Sequence, residues 1–325
     1  MKSLAVIAGL ALAGFFITPP SAAQEIKIRF AHSLSPTEPA HRAAEYFAKN
    51  VEERTKGKVK ITVYPAEQLG PGKDINEMIR QGANVMNITD AGYLSDYVPD
   101  VGVLHGPYLV RTPEEYEKIL GSDWYKGIEK KLETSGFKII MANGYFGQRH
   151  LIADKPVRKP EDMAGLTVRV PPNPMWIETL KAMGARPTTV QWSEVYNALS
   201  QNVVQAAEAP LGSLWGSKFQ EVRKVLSLTE HFTAFVMWPI NASFFNKLPP
   251  DVQTVLLEEG EKAGKEMTRL TLADQEEYLA KFKAAGVTIV SDVDVDAFRK
   301  ATEKVYGAFP KWTPGLRETV LGALK

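Results

Sequence analysis

The feature that most constrains the fold is an alternation of short strand-like runs with amphipathic runs, which begins at residue 26. Residues 26–31 alternate apolar and polar side chains, as a half-buried strand does, and a helical pattern covers residues 40–55. A second alternating run at 59–64 precedes a helical stretch that ends near Gly82, and residues 85–89 are typical of a short strand. The order β-α-β-α-β predicts a sheet with parallel strand pairs and helices on its faces.

The alternation continues to the C-terminus. It predicts strands over 137–143, 150–153, 166–170, 203–207, 222–228, 232–239 and 287–290, and helices over 114–135, 174–183, 193–201, 248–285 and 295–309. Because the 325 residues exceed the ~250–300 at which one core usually stops growing, we expect two lobes. The pattern as a whole predicts a two-lobed α/β protein with a helical C-terminal tail.

The first 23 residues form a separate segment. Lys2 gives a positive start, residues 4–17 are an uncharged apolar or small-residue run, and Ser21-Ala22-Ala23 follow two prolines. This order predicts a secretory signal peptide at residues 1–23, cleaved after Ala23, and therefore a periplasmic mature chain. The apolar run spans roughly 21 Å as a helix, short of the ~30 Å hydrocarbon core, so an uncleaved membrane anchor is the less favoured alternative.

Composition excludes several classes of function. The chain has no cysteine, which excludes disulfide scaffolds, thiolate metal sites, thiol nucleophiles and acylated lipoprotein anchors. Its 39 basic and 38 acidic residues give no basic field for nucleic acid, so we expect no nucleic-acid partner. The five histidines make no pair with metal-ligand spacing, and no complete nucleophile-elbow, zinc-helix, Walker or dinucleotide motif occurs. We predict no catalytic residue, no metal site and no cofactor.

Two arginines are candidate ligand contacts. Arg169 follows apolar neighbours in a predicted strand and precedes the rigid Pro171-Pro172 turn, which fixes the direction of its side chain. A planar guanidinium binds a carboxylate through two hydrogen bonds at once, so Arg169 is suited to hold an organic acid. An exposed or salt-bridged arginine is the alternative, and Arg149 is equally ambiguous from its own position.

Ordered motifs reveal a resemblance. The chain resembles the solute-binding proteins of tripartite ATP-independent periplasmic (TRAP) transporters, which capture C4-dicarboxylates, sialic acid and other organic acids. The similarity covers nearly the whole chain after residue 23. It is carried by residues 66–70, 146–149, 160–171, 193–199 and 248–253. Each motif is weak alone, and the ordered set at the family's spacing is specific.

The resemblance implies a periplasmic-binding-protein clamshell that closes over one small anion, with mixed sheets, a long connecting helix and a helical tail. Lobe I would take residues 24–148 with returning C-terminal segments, and lobe II residues 149–238. Residues 239–325 would form the long helix and C-terminal segments that cross back over both lobes. The implied partners are a small organic acid and the membrane permease subunits, with the receptor itself a monomer.

The resemblance also assigns ligand contacts. The family's principal carboxylate-binding arginine matches Arg169, and its assisting arginine matches Arg149. The Asn that commonly bonds the ligand carboxylate is Ala209 here, which makes the pocket more apolar at that point. The orientation of the ligand is therefore less defined by the motif.

The remaining site predictions concern loops. Asp90 matches an acidic or polar position after the third strand and is predicted either to contact a ligand hydroxyl or amino group or to cap its own loop. Trp192 matches an aromatic position at the pocket wall, with ordinary core packing as the alternative. Glu208 is predicted either to contact ligand or to pair with one of the two arginines. His32 and Glu38 lie by the first strand-to-helix loop, where a helix N-terminus can face an anion.

The sequence therefore predicts a TRAP receptor that binds an organic acid between its lobes. Two alternatives stay open at this point. A secreted hydrolase would use Asp90 and Glu208 as paired carboxylates, and an ATP-binding-cassette type receptor would share the clamshell.

Overall fold

The computed structural model describes residues 25–325 and has a mixed α/β architecture. The predicted signal peptide at 1–23 lies outside the described residues. In chain order the strands are β1 Ile26–Ala31, β2 Val59–Tyr64, β3 Val85–Asn87, β4 Phe137–Ala153, β5 Thr167–Val170, β6 Arg186–Thr189, β7 Ala207–Pro210, β8 Val225–Ser227, β9 Thr233–Asn241 and β10 Thr288–Val290.

Helices cover the sheets and connect their strands. The α-helices are α1 Pro39–Arg54, α2 Gly72–Arg80, α3 Ala91–Leu94, α4 Pro113–Gly121, α5 Asp123–Thr134, α6 Pro174–Ala182, α7 Val195–Ser200, α8 Leu211–Gly216, α9 Phe219–Val222, α10 Ala242–Asn246, α11 Pro250–Ala284, α12 Val295–Thr302 and α13 Leu316–Gly322. Short 3₁₀ helices cover Pro99–His105, Pro160–Met163, Trp192–Glu194 and Glu303–Gly307.

The first sheet confirms the parallel pairing predicted from the β-α-β-α-β pattern. Its order is β2-β1-β3, and both pairs are parallel. Helix α1 buries one face against it, and Phe30 and Phe47 meet Trp238 of β9 edge-on at 4.8 and 5.4 Å. The carboxyl ends of three parallel strands thus open at one edge, where ligands bind in sheets of this kind.

Strand β4 links the two halves of the molecule. Its first part pairs antiparallel with β9, and its last part pairs antiparallel with β7 and β8. The predicted separate strands at 137–143 and 150–153 are one strand, whose register shifts repeatedly against β9. Arg149 faces Pro210 in the register and Leu151 faces Glu208, which brings the last part of β4 against the strand that carries Glu208.

Helix α11 is the long helix predicted at 248–285, and it packs along β4. A Cβ atom added at Gly260 would lie 2.4 Å from the Ile140 carbonyl oxygen, and one at Gly264 would overlap the Asn143 side chain. The glycines therefore allow the helix to approach the strand closely. No helix within residues 25–325 combines the length and the apolar run that crossing a bilayer requires.

Three further element predictions were wrong. The helix predicted over 114–135 is two helices, because Ser122 adopts an extended backbone and caps α5 by accepting the Tyr125 N–H at 3.2 Å. The strand predicted over 203–207 lies at 207–210, since Asn202 takes a left-handed φ of 57° and Val203 is 58% exposed. The predicted strand over 222–228 begins only at Val225, after helix α9.

Candidate functional site

A cavity of about 100 Å³ lies where the loops after β1, β2 and β3 face β4, β9 and the 3₁₀ helix Trp192–Glu194. We call it the Asp90 cavity. It brings together three of the predicted site residues: Asp90, Arg149 and Trp192. Its other lining residues are Ser33, Leu34, Glu67, Gly72, Ile88, Thr89, Tyr93, His105, Phe146, Gln191, Phe235 and Val236.

Arg149 forms a buried ion pair with Glu208. Its Nε donates to Oε2 at 2.6 Å, one terminal nitrogen donates to Oε1 at 2.8 Å, and that nitrogen lies 3.2 Å from the Glu208 carbonyl oxygen. His231 Nε2 lies 3.1 Å from the same carboxylate, and Thr229 bonds the other ring nitrogen at 2.8 Å. Both oxygens of Glu208 are therefore occupied by protein groups.

Glu208 stays ionised although it is completely buried. Burial by itself raises the pKa of this carboxyl group, but Arg149 and the bond to His231 lower the pKa of Glu208 to about 2. Burial lowers the pKa of His231, so its ring is neutral at neutral pH. The charge of Arg149 is thus balanced inside the protein.

Arg169 is a buried cation with no such balance. Its side chain is on β5 and the residue is 3% exposed, with Nε donating to the Val190 carbonyl oxygen at 2.9 Å. Its guanidinium lies 5.0 Å from the ring centre of Trp192, a wall residue of the Asp90 cavity. Among residues 25–325 no carboxylate oxygen lies within 4.0 Å of it.

The Arg169 guanidinium remains charged at neutral pH. Burial lowers the pKa of Arg169 to about 10. Tyr93 and Glu208 act to raise this pKa, and the charge of Arg149 acts to lower it further. Its Nε bond to Val190 and its contact with the Trp192 ring hold it in place. It therefore presents a held positive charge beside the cavity, with N–H groups suited to a carboxylate.

Asp90 caps a helix and faces a histidine. It precedes α3 and accepts the Tyr93 N–H at 3.1 Å. Its Oδ1 lies 3.7 Å from His105 Nδ1, which is too long for a hydrogen bond. Burial raises the pKa of Asp90 to about 6, so the carboxylate form predominates at neutral pH. The cavity wall thus carries the carboxyl groups of Asp90 and Glu67 as well as the guanidinium of Arg149.

Four predicted residues are not among those that line this cavity: Arg169 and Glu208, which contact the lining residues Trp192 and Arg149, and His32 and Glu38. His32 Nε2 bonds His41 Nδ1 at 3.0 Å, and its own Nδ1 accepts the Leu34 N–H at 3.1 Å. Glu38 lines a separate cavity of about 30 Å³ against helix α8. The first strand-to-helix loop does reach the site, but through Ser33 and Leu34.

Sequence reasoning missed several wall residues. Glu67 and Phe146 lie inside motifs that carried the family resemblance, so the signal was present there. Glu67 also has a left-handed φ of 58°, an uncommon conformation for a residue with a side chain. His105 gave no sequence signal, because it lies in none of the motifs that carried the resemblance and has no partner at metal-ligand spacing.

The described residues offer no evident place for a metal ion. Within residues 25–325 no group of three or more His, Asp or Glu side chains is arranged to ligate one. The chemistry of the cavity is that of held charges and hydrogen-bonding groups.

Comparison with known proteins gives a consistent result. Residues 30–311 match the profile of the family described as bacterial extracellular solute-binding protein, family 7. A 2,3-diketo-L-gulonate-binding periplasmic protein from Escherichia coli is 32% identical, over 93% of this chain and 92% of that protein.

Two crystal structures have the same fold. A TRAP periplasmic solute-binding protein from Ochrobacterium anthropi with bound L-fuconate is 37% identical, with a TM-score of 0.90 over 93% of this chain and 100% of that one. One from Actinobacillus succinogenes with bound L-galactonate is 35% identical, with a TM-score of 0.89 over 92% of this chain and 99% of that one.

Proposed function

Since the chain belongs to bacterial extracellular solute-binding protein family 7, we propose that it captures a small organic acid in the Asp90 cavity and delivers it to a TRAP membrane permease. The match confirms the resemblance to TRAP solute-binding proteins. It also confirms the two-lobed mixed α/β fold with its long helix. The specific ligand contacts are our proposal.

The observation that carries the proposal is the unbalanced charge of Arg169. An isolated ion is costly to bury unless it is paired and hydrogen-bonded. Arg149 is already paired with Glu208, whereas no carboxylate of residues 25–325 pairs with Arg169. A ligand carboxylate would supply the missing negative charge and accept hydrogen bonds from the terminal N–H groups of the Arg169 guanidinium.

The charge pattern favours a monocarboxylate with hydroxyl groups. Arg169 is available to pair with one carboxylate, while Asp90 and Glu67 lie on the cavity wall and would repel a second one. Their oxygens accept hydrogen bonds from hydroxyl groups. The two relatives with bound L-fuconate and L-galactonate bind acids of this class, as does the 2,3-diketo-L-gulonate-binding protein by its name.

Neither alternative has an observation in its favour. A hydrolase with Asp90 and Glu208 as its acid pair needs both carboxyl groups available, and both oxygens of Glu208 are bonded to Arg149 and His231. The family is a receptor family, and its TRAP structures argue against the ATP-binding-cassette reading. We further propose that residues 1–23 are a signal peptide that directs export to the periplasm. The mature receptor would act there as a monomer that docks on the permease.

Replacing Arg169 tests the proposal. We expect Arg169→Gln to weaken binding of the best-bound acid by at least ~30-fold, because one partner of a buried charge pair is lost. Isothermal titration calorimetry with L-galactonate, L-fuconate and succinate measures this. The control is Arg186→Gln, which changes an exposed arginine in the strand paired with β5. Wild-type affinity in Arg169→Gln would refute the assignment.

A further inference from the structure

His105 is a buried residue of the Asp90 cavity whose ring is not hydrogen-bonded within residues 25–325. The residue ends the 3₁₀ helix Pro99–His105, is 4% exposed, and packs on Trp176 with ring centres 4.1 Å apart. Its Nε2 is buried without a hydrogen-bond partner among the described residues. Its Nδ1 faces Asp90 Oδ1 at 3.7 Å. Buried polar groups in native proteins are usually satisfied, so this ring calls for an explanation.

The gap between His105 and Asp90 has a definite size. Two hydrogen-bonding atoms 3.7 Å apart cannot bond each other directly. A single oxygen atom about 2.8 Å from each of them fits between, at the apex of a triangle. The Asp90 cavity lies against both residues, so a ligand oxygen has access to this position.

The chemistry of the pair restricts what that oxygen is. Burial, and then the charge of Arg149, lower the pKa of His105 to about 3, so its ring is neutral and offers one donor and one acceptor nitrogen. Asp90 is predominantly a carboxylate at neutral pH and only accepts. A hydroxyl group both donates and accepts, so it can donate to Asp90 while accepting from the His105 Nδ1–H. Nε2 is then the acceptor nitrogen of the neutral ring and has no partner among the described residues. A carboxylate can only accept and would be repelled by Asp90.

We propose that His105 and Asp90 together bind one hydroxyl group of the ligand, and that His105 is thereby a specificity-determining residue of the receptor. The inference rests on the proposed function, because the hydroxyl group in question belongs to the bound acid and lies at a distance from its carboxylate. Arg169 selects for the acid and the His105–Asp90 pair selects for the hydroxyl. Dicarboxylates of similar length are then disfavoured by the same pair.

The test combines a residue change with a ligand change. The binding constants of wild type, His105→Phe and His105→Asn are measured by calorimetry for L-galactonate and for its singly deoxygenated analogues, of which L-fuconate is the 6-deoxy member. Phenylalanine keeps a ring against Trp176 and removes both nitrogens, and asparagine keeps a donor and an acceptor. His41→Phe is the control, since His41 bonds His32 and does not line this cavity.

We expect His105→Phe to weaken L-galactonate binding by roughly tenfold, the effect of losing one hydrogen bond to a buried group. The analogue that lacks the hydroxyl bound by His105 should bind wild type and His105→Phe with equal affinity, and His105→Asn should recover part of the loss. A merely structural role of His105 would weaken every analogue alike.

Two outcomes would overturn the inference, and they are distinguishable from failure of the proposed function. If wild type binds L-galactonate and His105→Phe binds it equally well, His105 is not a ligand contact. If all analogues lose the same factor, its role is structural. If wild type binds none of the acids, the proposed function and this inference both fail. Melting temperatures of the variants show whether each is folded.

Discussion

Glu38 is a carboxyl group buried where α1 begins and α8 approaches it. The residue is completely buried, its Oε1 accepts the Ser35 N–H at 2.8 Å, and Ser213 Oγ donates to its Oε2 at 2.5 Å. Burial raises the pKa of Glu38 to about 7, and the two hydrogen bonds only partly oppose that rise. No positively charged side chain of residues 25–325 contributes to the pKa of Glu38.

This shift predicts a pH dependence of stability. Between about pH 4.5 and 7 the folded protein keeps a proton on Glu38 that the unfolded chain has released, so the contribution of Glu38 to stability falls as pH rises through this interval and is constant above it. The loss amounts to roughly 3 kcal/mol at most. His150 lines the same cavity and acts in the opposite direction: burial lowers its pKa to about 3, so its contribution to stability rises with pH up to the ordinary value of 6.5. His32 and His105, whose pKa values burial also lowers to about 3, do the same, so the contribution of Glu38 is measured by comparing variants.

Glu38→Gln should remove this contribution, because an amide can keep both bonds without a charge. We expect the variant's free energy of unfolding in urea to exceed that of wild type above pH 7, and the difference between the two to grow as pH rises from about 4.5 to 7. Glu52→Gln, an exposed position on α1, serves as the control and should follow wild type. Parallel curves for Glu38→Gln and wild type would contradict the explanation.

At the same scale, sequence reasoning located part of the site. The motifs located Arg149, Arg169 and Asp90, and the structure places all three in or beside the cavity wall. The pairing of Glu208 with Arg149 was one of two open readings, because it depends on the register of β4 against β7. His105 could not be found, since its position follows from a 3₁₀ helix that meets Asp90 only in the folded chain.

At the level of elements, the contact between α11 and β4 depends on glycine. Alanine stabilises an unconstrained helix by about 1 kcal/mol relative to glycine. At Gly260, however, its Cβ would lie 2.4 Å from the Ile140 carbonyl oxygen, so the helix or the strand must move. We expect Gly260→Ala to destabilise the protein by roughly 1–3 kcal/mol, the usual cost of overpacking.

Gly127 provides a matched control within α5. A Cβ atom there meets nothing within 4 Å, so Gly127→Ala should raise stability by roughly 0.5–1 kcal/mol. Urea unfolding of both variants measures the difference. Stabilisation by both substitutions would mean that α11 can withdraw from β4 without cost.

Elements were predictable where periodicity and tertiary packing agree. The parallel sheet of β1, β2 and β3 and the helix α11 follow from regular patterns that packing preserves. The break at Ser122 was missed because amphipathic spacing continues across it, although Ser122 is a favoured cap residue. The shift of β7 was missed because the left-handed turn at Asn202 has no periodic signature.

At the scale of the whole molecule, charge is balanced globally and unbalanced at one buried place. The sequence has 39 basic and 38 acidic residues, so no long-range field concentrates an anion on the surface. Attraction must therefore be local, and the unpaired Arg169 is suited to it. β4, β9 and α11 connect the two halves of the molecule. Neutralisation of the Arg169 charge by a ligand can therefore be coupled to the relative position of the two halves.

That coupling predicts ligand-driven closure. If the bound acid touches Arg169 and Trp192 on one side and Asp90 and His105 on the other, it stabilises the arrangement in which both sides meet. We expect small-angle X-ray scattering to give a smaller radius of gyration with the best-bound acid than without it. An acid present at 100 times its Kd should also add about 2.7 kcal/mol to the free energy of unfolding.

Arg169→Gln separates closure from nonspecific effects of the acid. At the same acid concentration, a loss of ~30-fold in affinity leaves this variant at only about 3 times its Kd, so it should gain less than about 1 kcal/mol of stability, while Arg186→Gln should respond as wild type does. Unchanged scattering in wild type, under conditions where calorimetry shows saturation, would mean that the acid binds without closing the two lobes. A permease would then have no difference of shape by which to distinguish the loaded receptor from the empty one.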